Sequence, residues 1–338
     1  MTATARPAAA PERAAFDRLS ALLSDDLAAV DALIRDRMAS EHAPRIPEVT
    51  RHLVEAGGKR LRPLLTLAAA RCCNYNGDHH VRLAATVEFI HTATLLHDDV
   101  VDESARRRGR PTANLLWDNK SSVLVGDYLF ARSFLLMVET GSLRVLEILS
   151  RASSVIAEGE VMQLAMTGAL STTEAQYLTM IHGKTAALFA AATEVGGVIA
   201  GAPEAQVDAL RTYGRELGMA FQIVDDLLDY GGASAALGKD VGDDFREGKI
   251  TLPVLIAVAR GDDEGRAFWR RTIERRDQRD GDLAEAQARL RASGALVETE
   301  TRARAATATA VGALQALPPG EIREALAGIA DFVVARLS

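Results

Sequence analysis

Residues 81–102 read VRLAATVEFIHTATLLHDDVVD, an apolar run without glycine or proline that ends on three aspartates within five positions. A run of that length is too long for a strand and predicts a helix over 81–101. The same ending recurs in GRELGMAFQIVDDLLDY, residues 214–230, near the end of a second helical segment. Two copies of D-D-x-x-D are well above the roughly 0.1 matches that this aspartate frequency gives by chance.

On a helix, Asp98 and Asp102 share a face, and so do Asp225 and Asp229. Like charges at that spacing repel, at a cost of tenths of a kcal/mol when exposed. One such cluster alone reads as a solvated helix end. Two of them, each reached from an apolar run, point to a shared cation. Ligands that are all oxygen, with no cysteine nearby, select a hard ion, and magnesium commonly joins one or two carboxylates to substrate phosphates. Calcium in an EF-hand is excluded, because neither stretch has the glycine and terminal glutamate at the required offsets.

The rest of the chain is also read as helical. It has 338 residues, 48% hydrophobic but only 5% aromatic, a balance that favours helices over strands. Amphipathic spacing predicts a helix over 19–38, and PEVTRHLVEAGGKRLRPLLTLAAARCC reads as helix, glycine break and second helix. Further helices are expected over 121–139, 143–168, 173–200, 204–230 and 252–260, with two or three more to the end. No period-two alternation persists long enough for a sheet. Residues 1–12 are expected to be a loose tail and 13–338 a single all-helical domain, since no composition shift divides the chain. The charged stretch ARGDDEGRAFWRRTIERRDQRDGD, residues 259–282, reads as a solvated surface.

The net charge of −7 argues against nucleic acid as a partner, because a phosphate backbone calls for a basic surface. The adjacent pair Cys72 and Cys73 forms neither a disulfide scaffold nor a zinc or redox motif, so a reducing cytoplasm is expected. The N-terminal stretch lacks the apolar core of a signal peptide. TAALFAAATEVGGVIAGAP carries Glu194 and is read as a core helix, not a membrane span.

Phosphate binding would need cations near the carboxylates, and the sequence supplies them. GGKRLRP places Lys59, Arg60 and Arg62 at a helix start, where free N–H groups and the helix dipole favour an anion. Arg106, Arg107, Arg108 and Arg110 follow the first cluster; HGKT contributes Lys184 and Thr185; LGKDVGDDFREGKITLP contributes Lys239 and Lys249. The GKT is not a P-loop, because Leu178 stands where the first glycine is required.

In order along the chain, GGKRLRP, EFIHTATLLHDDVVDESARRRGRPTAN, GDYLFARSF, GEVMQL, HGKTAALF, FQIVDDLLDY and LGKDVGDDFREGKITLP resemble the motifs of the trans-prenyl diphosphate synthases, the polyprenyl synthetase family. The resemblance implies an all-α helical bundle around a deep central cavity, usually a homodimer, with the aspartate clusters facing each other across the mouth. It implies Asp98, Asp102 and Asp225 as main magnesium ligands, supported by Asp99, Asp226 and Asp229, with about three ions per loaded site. The allylic diphosphate would meet Arg107, Lys184, Thr185, Gln222 and Lys239; isopentenyl diphosphate would meet Lys59, Arg62, His91 and Arg108. Transient membrane contact for release of an apolar product is a further expectation.

In that family, bulky aromatic residues four and five positions before the first aspartate limit chain growth. Here they are Thr94 and Ala93, with Ile90 and Val87 below. The pattern is most similar to the long-chain members that make octaprenyl to decaprenyl tails of quinones. Alternatives are a short-chain synthase stopped by a deeper bulky residue, a terpene cyclase, and a non-catalytic subunit of a heteromeric synthase. The second diphosphate site implied by Lys59, Arg62, His91 and Arg108 favours condensation over cyclisation.

Overall fold

The computed structural model describes residues 11–55, 59–107, 109–231 and 242–337. It is a helical bundle. The first helices are α1 (Pro11–Leu22), α2 (Ser24–Arg37), α3 (Arg45–Glu55), α4 (Leu61–Cys72) and α5 (His79–Val101). The run expected as one helix over 19–38 is divided at Leu23, and the described chain is helical from Pro11, inside the stretch expected as a loose tail. Residues 1–10 and the double glycine Gly57–Gly58 lie outside the described residues.

A two-residue antiparallel ladder pairs Arg106 with Pro111 and Arg107 with Arg110. After it come α6 (Ala113–Leu116), α7 (Asn119–Glu139), α8 (Leu143–Met166), α9 (Glu174–Ile181), α10 (Ala187–Ile199) and α11 (Glu204–Tyr230). The segment expected as one helix over 173–200 is divided by a single π-helical turn, His182–Ala186, a local widening that often marks functional sites. Its entry is fixed by a capping box: the Thr173 hydroxyl accepts from the Gln176 backbone N–H, and the Gln176 side-chain oxygen accepts in return.

The chain finishes with α12 (Asp243–Arg246), α13 (Leu252–Arg260), α14 (Asp263–Trp269), α15 (Asp282–Ala292), α16 (Ala295–Ala313) and α17 (Glu321–Ala335). Residues 259–282 correct the expectation of a solvated surface: Phe268, Trp269 and Ile273 are buried in the core. Their charged neighbours point outward, so the stretch is amphipathic and not merely polar.

The helix that opened the sequence argument is central. Leu83, Val87, Phe89, Ile90, Ala93 and Leu96 of α5 are all buried, and the helix packs on α2, α4, α7 and α10. The main core extends from Leu19 of α1 to Val334 of α17. A second apolar cluster joins Leu83, Val87 and Ile90 of α5 to Met137 of α7, Leu149 and Ile156 of α8, and Leu188 and Val195 of α10.

Candidate active site

The ends of α5 and α11 carry the two aspartate clusters, and two side-chain networks lie around them. The first network passes through α8 and the π-turn. Lys184 donates to Glu160 at 3.0 Å. On the next residue, the Thr185 hydroxyl donates to Gln222 Oε1 at 2.8 Å, and Gln222 Nε2 donates to Asp226 at 2.7 Å. Asp226 also accepts from the Tyr177 hydroxyl at 2.7 Å. The second network crosses more directly: Lys249 Nζ lies 3.6 Å from Asp102 and 2.5 Å from Glu247. Burial alone would lower the Lys249 pKa, but the Asp244, Asp102 and Glu247 carboxylates outweigh it and hold the ammonium protonated far above the usual range.

Glycines set these distances. A Cβ on Gly159 would lie 2.5 Å from the Lys184 backbone nitrogen, and one on Gly183 would lie 2.9 Å from the Val155 carbonyl oxygen. Only paired glycines let α8 and the π-turn approach this closely, which makes Glu160 and Lys184 neighbours. Gly218 does the same between α11 and Ala186, where a Cβ would come within 2.6 Å of Cα. One turn further on, Gln222 reaches Thr185.

The six aspartates have different surroundings. Asp98 has no hydrogen-bond or ion-pair donor to its carboxylate among the described residues. Burial, then the neighbouring Glu160 carboxylate, raises its pKa to about 7; Asp102 adds to the shift, and Lys184 and Arg107 oppose it. Asp99 is 0% exposed and turns to the hairpin, where Arg107 Nε donates to it at 2.8 Å; burial raises its pKa against the pull of Arg107. Asp229 accepts from the backbone N–H groups of Asp243 and Asp244 at 3.2 and 3.0 Å, anchoring the segment that carries Lys249. Asp225 pairs with Arg336, the residue just after α17, at 3.4 Å.

Of the supporting aspartates, then, Asp99, Asp226 and Asp229 hold protein groups in place. Asp102 lies 3.6 Å from Lys249, and Asp98 stands within the field of Lys184. Among the described residues no three His, Cys, Asp or Glu side chains form a ready cation cage. Isolated carboxylate oxygens without protein donors, of which Asp98 is the clearest, fit an ion that shares its coordination with substrate phosphate.

The second group of cations lies at the start of α4. Arg62 packs its guanidinium 4.4 Å from the Phe189 ring and bonds His91 Nε2 at 3.1 Å. Arginine can only donate, so this histidine nitrogen accepts. Lys59 Nζ lies 4.2 Å from the Phe332 ring. Arg108 and Lys239, both expected at the site, lie outside the described residues. Sequence reasoning missed Glu160, Tyr177 and Arg336. Glu160 stood in the GEVMQL motif, but nothing in one dimension aims it at Lys184; Tyr177 and Arg336 carry no local signal at all.

The model of the polyprenyl synthetase family matches residues 43–290. The chain belongs to the polyprenyl synthetase family. Octaprenyl diphosphate synthase of Escherichia coli is 45% identical over 321 residues, covering 95% of this chain and 99% of that one. A decaprenyl diphosphate synthase structure from Rhodobacter capsulatus superposes with a TM-score of 0.93 at 66% identity, covering 96% and 99% of the two chains. A polyprenyl synthase from Caulobacter crescentus, solved with calcium and isoprenyl diphosphate, gives 0.91 at 54% identity, covering 96% and 98%. As a polyprenyl synthetase family member, the chain is an enzyme, a prenyltransferase of the diphosphate synthase type with the all-α isoprenoid synthase fold.

Proposed function

We propose that this enzyme extends an allylic diphosphate, farnesyl or geranylgeranyl, by repeated condensation with isopentenyl diphosphate to an all-trans octaprenyl to decaprenyl diphosphate for quinone side chains, in the cytoplasm and with magnesium. The observation that carries the reading is the placing of two lysines at the carboxylate clusters that end α5 and α11: Lys249 lies 3.6 Å from Asp102 on a segment held by Asp229, and Lys184, paired with Glu160, acts on Asp98.

Asp98, Asp102 and Asp225 would hold the ions. Magnesium supplies positive charge that stabilises the departing diphosphate. Lys184 and Lys249 add fixed positive charge on the same group, and their value rises as the C1–O bond of the allylic substrate breaks and charge develops on oxygen. Arg62, oriented by His91 and Phe189, and Lys59 hold isopentenyl diphosphate so that its terminal double bond faces the allylic carbon. The new carbon–carbon bond forms there, and a proton leaves to the released diphosphate.

The long product is supported by what lies below Asp98 along α5. Ala93 is small and fully buried, and the Thr94 hydroxyl is turned back to the His91 carbonyl at 2.8 Å. Over the roughly 22 Å of helix from Asp98 to Leu83, the second apolar cluster is lined by Ile90, Val87, Leu83 and aliphatic partners, with Phe130 the aromatic packed against it. On α5 itself, neither Ala93 nor Thr94 offers a ring to stop a flexible apolar tail.

A homodimer is supported by α7, which is long and apolar enough to cross a membrane, though only 39% of its most apolar window is buried. Leu124, Leu135 and Val138 on that helix are 66%, 51% and 63% exposed, a stripe that a second copy would cover. Val161 and Leu164, exposed on α8 beside Glu160, are the natural contact for a membrane that takes up product.

The test is direct: purified protein is incubated with magnesium, labelled isopentenyl diphosphate and either allylic primer, and product length is read by chromatography. Octaprenyl to decaprenyl products are expected. Failure to extend any primer would overturn the condensation reading, and arrest at farnesyl or geranylgeranyl length would overturn the long-chain part alone.

A further inference from the structure

Glu160 and Lys184 form an ion pair at 3.0 Å, each side chain 21% exposed. The backbone contact between Gly159 and Gly183 forces the two residues together. Lys184 makes no other salt bridge, and Glu160 accepts from no other side chain, among the described residues. Asp98, expected to bind the ion, feels both of them. A lysine tail has many rotamers, so a partner that fixes its head beside the first aspartate cluster has a consequence for binding there.

We infer that Glu160 is a positioning residue for the allylic diphosphate, acting through Lys184. It holds the ammonium beside Asp98 in the empty enzyme and yields it to phosphate oxygen when substrate arrives. Glu160 is then left as an additional negative charge next to the cation that accompanies the substrate. The inference rests on the diphosphate-binding function proposed above. It gives Glu160 opposite effects on the two components of the loaded site: its charge opposes a bare diphosphate, by competing for Lys184, and favours a divalent ion.

The experiment measures binding of inorganic pyrophosphate by calorimetry, with magnesium absent and then titrated. Glu160→Gln is expected to bind metal-free pyrophosphate about fivefold more tightly, the scale of one unit charge at contact distance in water. The same variant is expected to need about fivefold more magnesium for half-maximal binding of the ion. A merely structural loss would weaken both. Glu160→Asp keeps the charge but shortens the reach, so it competes less for Lys184: metal-free affinity rises part of the way towards that of Glu160→Gln, while the magnesium requirement stays near the wild-type level.

Changes of the same sign in both affinities, or no change in either, would overturn the inference. Lys184→Met is the second arm: pyrophosphate binding must weaken with and without magnesium, and if it does not, Lys184 is not the intermediary. Elongation by the wild-type enzyme is measured in parallel. Its absence would sink the functional reading, whereas the sign of the pyrophosphate effects is read without turnover.

Discussion

Lys249, five residues beyond Asp244, reaches across to Asp102 at 3.6 Å and so ties the segment after the second aspartate cluster to the first. Asp229 holds that segment by accepting from two of its backbone N–H groups. The carboxylates of the two motifs thus act in part on each other's surroundings. Lys249→Met should leave Asp102 without its cation and remove charge from the reaction zone. We expect kcat/KM to fall by about tenfold or more, as for loss of one fixed electrostatic contact, with steady-state kinetics as the measurement.

Tyr177 is wholly buried and donates to Asp226 at 2.7 Å; burial, reinforced by Asp226, keeps its phenol protonated far above the usual range. Tyr177→Phe leaves one carboxylate oxygen of Asp226 short of a donor. Stability should fall by about 1–3 kcal/mol in denaturant unfolding, and activity should fall with it because Gln222 and Thr185 hang on the same carboxylate.

Gly159→Ala puts a methyl group 2.5 Å from the Lys184 backbone nitrogen. Backbone cannot yield as a side-chain tip can, so α8 must move from the π-turn. The expected cost is about 1–3 kcal/mol. The kcat and kcat/KM for the allylic diphosphate should both fall, because Lys184 is displaced from the charge that develops on the departing diphosphate while the aspartates are not moved.

Ala93→Phe should shorten the product, since a ring would then stand one turn below Asp98. Overpacking of this fully buried position should cost about 1–3 kcal/mol, so product length is compared at a temperature where the variant remains folded. Unchanged length would remove Ala93 from the path of the tail.

A buried cluster far from the aspartates should set the acid limb of stability. His80 is 1% exposed and lies 3.0 Å from Asp26, which also takes two hydrogen bonds from Arg71. Burial lowers the pKa of His80, against the pull of Asp26. Burial would raise the pKa of Asp26, but Arg71 and His80 bring it below the ordinary value. Both groups bind protons more readily when unfolded, so both contribute stability that is lost on acidification. His80 acts as pH falls below about 6.5, its ordinary value, and Asp26 acts below its own. The slope from His80 is at most about 1.4 kcal/mol per pH unit. Thermal unfolding from pH 7 to 5 should show it, and His80→Gln should flatten it.

Much of the molecule was legible before folding was considered. The stretch into Asp98 specified a helix because about twenty largely apolar residues without glycine or proline are too many for a strand. The repeated aspartate motif, GGKRLRP and HGKT marked the site because charges concentrated beside apolar runs need partners. The same local reasoning erred at residues 259–282. Phe268, Trp269 and Ile273 are three apolar residues among many charges, and only packing against the core reveals that they share one face.

The sequence by itself determined helicity, the ends on which the carboxylates stand, and the residue types available to hold a metal-bound diphosphate, because these follow from short-range spacing. Only the tertiary structure decided which carboxylate does what. It turned Asp99 to Arg107, gave Asp226 to Tyr177 and Gln222, and committed Asp229 to backbone N–H groups. It left Asp98 without a donor among the described residues and set Glu160 against Lys184. Those assignments depend on how closely α8, the π-turn and α11 approach one another. That distance is fixed by glycines whose missing side chains mean nothing until two backbones meet.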